Sequence, residues 1–101
     1  MRNLLLPAHF DFEVNVPLWL VHSDRKSIEH IFIFKDFQQA FEFMTLSAQY
    51  AQEIDHHPDW SNSWNEVKVK LTTHSSGGLT DLDVQMARKM NDLALRVEVG
   101  S

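Results

Sequence analysis

From Asp36 to Asp55 apolar side chains recur every three or four residues, the spacing that lays one face of a helix on a core. Asp36 is placed to cap the first turn, with Gln39 three residues on completing a capping-box arrangement. Pro58 lacks an N–H and would clash with a preceding turn, so the helix ends near Asp55. Two stripes run along it: Phe37, Ala40, Phe41, Met44, Ala48 and Ala51, and beside them Phe43, Leu46, Tyr50 and Ile54. That arc is wider than one sheet needs. It predicts either a broad core or a helix-to-helix contact between subunits.

Elsewhere the period is two. From His9 to Val16 polar residues alternate with Phe10, Phe12, Val14 and Val16, which predicts a half-buried strand that Pro17 ends or confines to a sheet edge. Leu18 to His22 and Ile28 to Phe34 read as a hairpin around the polar turn Ser23-Asp24-Arg25-Lys26. In its second strand Ile28, Phe32 and Phe34 share one face and Ile31 and Ile33 the other, which suggests a central strand or one covered by a partner subunit. Glu66 to Thr73 sets Val67, Val69 and Leu71 against Lys68, Lys70 and Thr72. After the turn Ser75-Ser76-Gly77-Gly78, Thr80 and Asp83 open a last helix whose buried stripe is Val84, Ala87, Met90, Ala94 and Val97. The expected fold is an α+β two-layer sandwich: an antiparallel sheet of about four strands with helices packed on one face. A chain of 101 residues has room for a single domain, 1–101, around one modest core.

Charge and composition narrow the function. The formal charge is −5 and no basic cluster is denser than Arg25-Lys26, so the counterion release that drives phosphate-backbone binding is missing and direct nucleic-acid binding is not expected. No apolar run approaches the length of a membrane span. Pro7, His9 and Asp11 break the run Leu4-Leu5-Leu6 after Arg2 too soon for a secretory signal. The chain has no cysteine, hence no disulfide, thiolate nucleophile or Cys-based zinc site. That favours an intracellular protein, cytoplasmic with the nucleus as the alternative. Six histidines in so short a chain are the oddity.

Those histidines direct attention to three places: Asp55-His56-His57-Pro58-Asp59-Trp60, Thr72-Thr73-His74 and Gly78-Leu79-Thr80-Asp81-Leu82-Asp83. Singly, each is ordinary, since a surface histidine near a strand end is usually only solvated. Together they place imidazoles where a helix stops and a strand ends, positions from which a scaffold presents side chains to a ligand. Histidine exchanges protons near neutral pH because its unperturbed pKa is about 6.5. Loss of a hydroxyl from a carbon beside nitrogen needs that help: a proton to the leaving oxygen and another taken from the nitrogen.

The spacing of these residues resembles the pterin-4a-carbinolamine dehydratase family. Its pattern is an ionisable residue, three residues, His-His-Pro, an aromatic after five or six, nine to a His, and eight or more to an Asp. His56-His57-Pro58, Trp64, His74 and Asp83 fall at those spacings. Phe34-Lys35-Asp36-Phe37, Ala40-Phe41-Glu42-Phe43-Met44-Thr45 and Gly78-Leu79-Thr80 are also similar to the family, and the resemblance covers about Trp19 to Ala94. Two departures stand out. Gln52 occupies the usually ionisable position and cannot carry charge, and residues 1–18 are atypical, with 9–16 alternating like a strand where the family usually begins with a helix.

The resemblance implies a dehydratase that converts 4a-hydroxytetrahydropterin to quinonoid dihydropterin, in tetrahydrobiopterin recycling, with no cofactor and no metal. It implies His56 and His74 as general acids reaching the 4a-hydroxyl, and His57 as the residue that orients the ring and accepts the nitrogen proton. Asp83 either holds one histidine's tautomer or only caps the last helix with Thr80. Pro58, Trp60 and Gln52 complete the expected substrate-binding set. Trp60 is the better stacking candidate, with a plain core role as its alternative. Trp64 would lie roughly 33 Å from His74 along a straight strand, at ~3.3 Å per residue, unless the chain bends near Asn65-Glu66.

Two rivals remain. Three histidines and an aspartate suit zinc or iron, although no familiar ligand register such as His-x-x-x-His is present. Animal members of the family also look like partners of a homeodomain transcription factor, and the Phe43, Leu46, Tyr50 stripe suits such a contact or self-association into a homodimer or homotetramer.

Overall fold

A computed structural model describes residues 4–100; residues 1–3 and 101, with Arg2 and the outermost ends of the expected domain, lie outside the described residues. One antiparallel sheet is built from β1 (Leu20–Val21), β2 (Ile28–Ile33), β3 (Asp59–Ser63) and β4 (Glu66–Leu71), in the order β1-β2-β4-β3. A single turn of helix, α1 (Phe12–Asn15), precedes it, α2 (Phe37–Ile54) connects β2 to β3, and α3 (Asp81–Val99) follows β4. The register sets Ile28 opposite Leu71, His30 opposite Val69 and Phe32 opposite Val67, so these side chains share one face. The two long helices cover that face and close the core. Ile31, Ile33, Lys68 and Lys70 occupy the other face and are exposed. This is the expected two-layer α+β sandwich.

The strands are not all those read from the sequence. His9–Val16 is not a strand. Asp11 Oδ1 accepts the N–H of Val14 at 3.1 Å and starts α1, which buries Phe12 and Val16, four residues apart, and leaves Val14 in solvent. A helix this short has no period of its own to set against a chance alternation. The fourth strand is instead β3, a polar segment whose pattern predicts no strand. β4 supplies its ladder, from Asp59 opposite Lys70 to Ser63 opposite Glu66. Between the two, Trp64 (φ 48°) and Asn65 form a two-residue turn. The Asn65 side-chain N–H donates to the Phe34 carbonyl at 2.8 Å, and Phe34 N–H donates to the Asn65 carbonyl at 2.9 Å, which pins this hairpin to the end of β2.

The helices start as their sequence dictates. Asp36 Oδ1 accepts the Gln39 N–H at 2.9 Å, while the Gln39 side-chain oxygen accepts from Lys35 N–H, one residue before the cap. α2 buries Ala40, Phe43, Ser47 and Ala51. The first of the two expected stripes is therefore corrected: Phe37 and Phe41 are 48% and 57% exposed and Ala48 faces solvent, whereas Phe43 from the second stripe is fully buried. The sheet decides this choice. Phe43 packs between Phe32 and Phe34, with ring centroids 4.6 and 5.1 Å away. Truncating a phenylalanine so placed costs about 3–5 kcal/mol. In α3 the stripe Val84, Ala87, Met90, Ala94 and Val97 is buried as expected. No helix among the described residues is long and apolar enough to cross a membrane.

Candidate active site

The end of α2 directs the first imidazole inward. Asp55 takes the left-handed conformation (φ 51°, ψ 47°), which short polar side chains tolerate better than most, and its N–H bonds back to Ala51 and Gln52 carbonyls. His56 N–H bonds to the Ala51 carbonyl at 3.0 Å, so the chain reverses as it leaves the helix. His56 is consequently only 8% exposed, with Nε2 2.6 Å from Oδ1 of Asp83. His57 turns outward, its Nε2 3.1 Å from the Gln52 side-chain oxygen. The adjacent imidazoles thus diverge: one is held by the core, the other lies on the surface.

Asp83 caps the last helix and meets a histidine at once. As the third residue of α3 it completes a capping box, accepting Thr80 N–H on Oδ2 at 2.9 Å. The same oxygen accepts the Thr73 hydroxyl at 2.8 Å, and the other oxygen meets His56. A fully buried carboxylate is costly unless its lone pairs are occupied, and here three donors surround it. Thr73 and Thr80 hydroxyls are themselves 2.7 Å apart.

His74 opens a short 3-10 turn, His74–Ser76, just beyond β4. Thr73 N–H to Gly78 O (2.9 Å) and Gly78 N–H to Thr73 O (3.3 Å) close this turn, and Gly77 supplies the left-handed residue it needs (φ 76°). The His74 side chain is 83% exposed, and its Nε2 lies 3.7 Å from Oδ2 of Asp59. The two histidine segments are therefore joined twice, through His56–Asp83–Thr73 and through Asp59–His74.

Trp60 stands opposite Val69 on the core side, half-buried against the hydrophobic cluster, so the core alternative accounts for its placement. Pro58 is half-buried beside it in sequence. Trp64 is the exposed tip of the β3–β4 hairpin, and the whole of β4 still lies between it and His74, so the turn at Trp64-Asn65 does not bring it to the histidines. Among the described residues no three His, Cys, Asp or Glu side chains gather as metal ligands. Four surface clefts of about 290 to 460 Å³ are lined by other residues, chiefly at the N-terminal segment, at the start of α2 and between β2 and α3. The His57 and His74 side chains form an open surface rather than the wall of one of these clefts. Sequence reasoning missed Thr73 and Asp59 as site residues. Their signal was adjacency alone, since Thr73 precedes His74 and Asp59 follows His57-Pro58.

Comparisons with known proteins give the family. The family model described as pterin 4 alpha carbinolamine dehydratase matches residues 7–93. The chain belongs to this family. Proteins of Brucella ovis and Brucella canis, provisionally named pterin-4-alpha-carbinolamine dehydratases, are each 51% identical over 76 residues, covering 75% of this chain and 78% of theirs. A crystal structure described as a transcriptional coactivator/pterin dehydratase from Brucella melitensis superposes with a TM-score of 0.82 at 44% identity, over 91% of this chain and 99% of that one. A pterin dehydratase-like protein identified as a RuBisCO assembly factor in the alpha-carboxysome shares the fold, with a TM-score of 0.65 at 19% identity over 75% of this chain and 88% of its own.

Proposed function

We propose that this family member is a pterin-4a-carbinolamine dehydratase, converting 4a-hydroxytetrahydropterin to quinonoid dihydropterin within tetrahydrobiopterin recycling. The observation that supports this most is the double link between the His56-His57 segment and His74, which brings the two histidine segments to the same end of the β3–β4 pair. In the reaction the C–O bond at the 4a carbon breaks as the adjacent nitrogen forms a C=N bond. One proton goes to the departing hydroxyl, which leaves as water, and one leaves the nitrogen. His56 and His74 act as acids toward the hydroxyl, and His57 orients the ring and takes the nitrogen proton. Gln52 and Pro58 border that surface, and Trp60 supports it from the core. No cofactor enters this scheme, and the cysteine-free composition favours the cytoplasm.

Self-association belongs to the same reading. Phe37 and Phe41 stack at 5.8 Å on the solvent side of α2, an exposed aromatic pair of the kind that contacts another chain. The contact expected on the Phe43, Leu46, Tyr50 stripe is displaced here because those residues pack on the core, and a homodimer or homotetramer would form on Phe37 and Phe41 instead; a different protein on the same face is the interaction-module alternative. The function is tested by adding the purified protein to chemically generated carbinolamine and subtracting spontaneous dehydration. A rate proportional to protein concentration is expected; no acceleration above the spontaneous rate refutes the proposal.

A further inference from the structure

Thr73 serves both histidine segments at once. Its main chain closes the turn that presents His74, and its hydroxyl binds the carboxylate that holds His56. The direction of every hydrogen bond in this buried group follows from counting protons. Asp83, as a carboxylate, can only accept. Thr80 N–H and the Thr73 hydroxyl both donate to Oδ2. The one Thr73 proton is thereby committed, so in the 2.7 Å contact between the hydroxyls Thr80 is the donor. The Thr80 oxygen in turn accepts Leu82 N–H at 3.3 Å. The remaining contact, 2.6 Å from Asp83 Oδ1 to His56 Nε2, then requires the hydrogen on Nε2. A neutral ring protonated there carries its lone pair on Nδ1.

We propose that Thr73 is a positioning residue that, through Asp83, fixes His56 as its Nε2–H tautomer and makes Nδ1 the nitrogen that exchanges protons with substrate. This rests on the dehydratase reading for its kinetic consequence, though not for the tautomer. Packing alone does not need the hydroxyl: Thr73 is buried, and a valine fills the same volume. Removing the hydroxyl leaves Oδ2 with Thr80 N–H alone, frees the carboxylate to rotate, and lets the imidazole exchange tautomers.

The test compares Thr73→Val and Thr73→Ser with the wild type by ¹⁵N NMR of labelled histidine and by steady-state kinetics on the carbinolamine. In the wild type the His56 resonances are expected to report Nε2–H in the neutral ring, with Nδ1 the nitrogen that gains, and gives to the hydroxyl, the second proton of the charged ring. Thr73→Val is expected to show a second tautomer and a kcat lowered about tenfold, the scale of one buried hydrogen bond, with KM within about twofold. Thr73→Ser is expected to restore both. A wild-type His56 in the Nδ1–H form overturns the proposal even if Thr73→Val does not fold. So does a folded Thr73→Val protein with wild-type tautomer and kcat. A wild type that fails to exceed spontaneous dehydration refutes the functional reading instead, while the spectra still decide the tautomer.

Discussion

The Gln52 side-chain oxygen lies 3.1 Å from Nε2 of His57, across the last turn of α2 and the reversal that follows it. An amide there orients the ring without charging it. Gln52→Glu sets a carboxylate against the imidazole and favours its protonated form. The pair is exposed, so the gain is small, about twofold to fivefold in population. The acid limb of the kcat/KM profile, below which His57 is protonated and cannot take the nitrogen proton, is expected to move to higher pH in the variant. Superimposable profiles would show that the charge state of His57 does not enter the rate.

His56 and His74 are expected to matter equally to activity and unequally to stability. Alanine at either position lowers kcat by up to the ~10²–10⁴-fold typical of positioned acid–base groups. His56→Ala also strips a donor from the buried Asp83 carboxylate, at a cost of about 1–3 kcal/mol. His74 stands in solvent, so His74→Ala leaves stability within about 0.5 kcal/mol of wild type. Carbinolamine assays paired with urea titrations separate the two effects. Full activity in either variant removes that histidine from the mechanism.

How legible this was depended on length and on burial. α2 and α3 announced themselves because apolar residues and caps repeat over several turns, and Val67, Val69 and Leu71 announced β4 by alternation over a half-buried face. α1 and β3 did not. Four residues of helix fit a period of two as well as one of 3.6, and the polar segment Asp59–Ser63 owes its strand to β4 rather than to its own pattern. The site histidines stood out through rarity and spacing. Thr73 did not, because its role comes from a contact ten residues along the chain that only the folded turn creates. The facing of α2 was missed for a related reason: two apolar stripes compete on one helix, and the sheet chose the one that places Phe43 between Phe32 and Phe34.

The aromatic pair left outside by that choice gives a direct test of assembly. Replacing Phe37 and Phe41 together by glutamate removes the exposed stack and adds charge, without touching the core residues Ala40 and Phe43. Light scattering is expected to show a multiple of 11.8 kDa for the wild type and a lower mass for the double variant. A monomeric wild type, or an unchanged mass in the variant, shows that this face does not hold the copies together.

His30 sets an acid limit on the fold. Burial beside Trp19 and Phe32 lowers its pKa below the ordinary 6.5, opposed in part by a hydrogen bond with the Leu18 backbone. The unfolded chain therefore binds a proton near pH 6.5 that the folded chain still resists. Stability is fully present above that value and falls as the pH drops toward the lower folded-state pKa. Glu98 faces the same cleft from α3. His30→Phe is expected to flatten the fall in urea midpoint between pH 7.5 and 5.5. Parallel slopes in variant and wild type would assign the acid sensitivity elsewhere.

Asp55 tests whether the exit from α2 is what delivers His56 to Asp83. Its left-handed backbone (φ 51°) is strained for any residue with a Cβ, and glycine adopts it freely. Asp55→Gly is expected to be neutral or stabilising by up to about 1 kcal/mol, and Asp55→Ala to destabilise by about 1 kcal/mol. The direction of the activity change separates this account from a chemical role for the carboxylate. If the turn alone matters, the glycine variant keeps wild-type kcat while the alanine variant loses some of it along with melting temperature. Equal loss of kcat in both, with stability unchanged, would mean that the Asp55 side chain itself takes part.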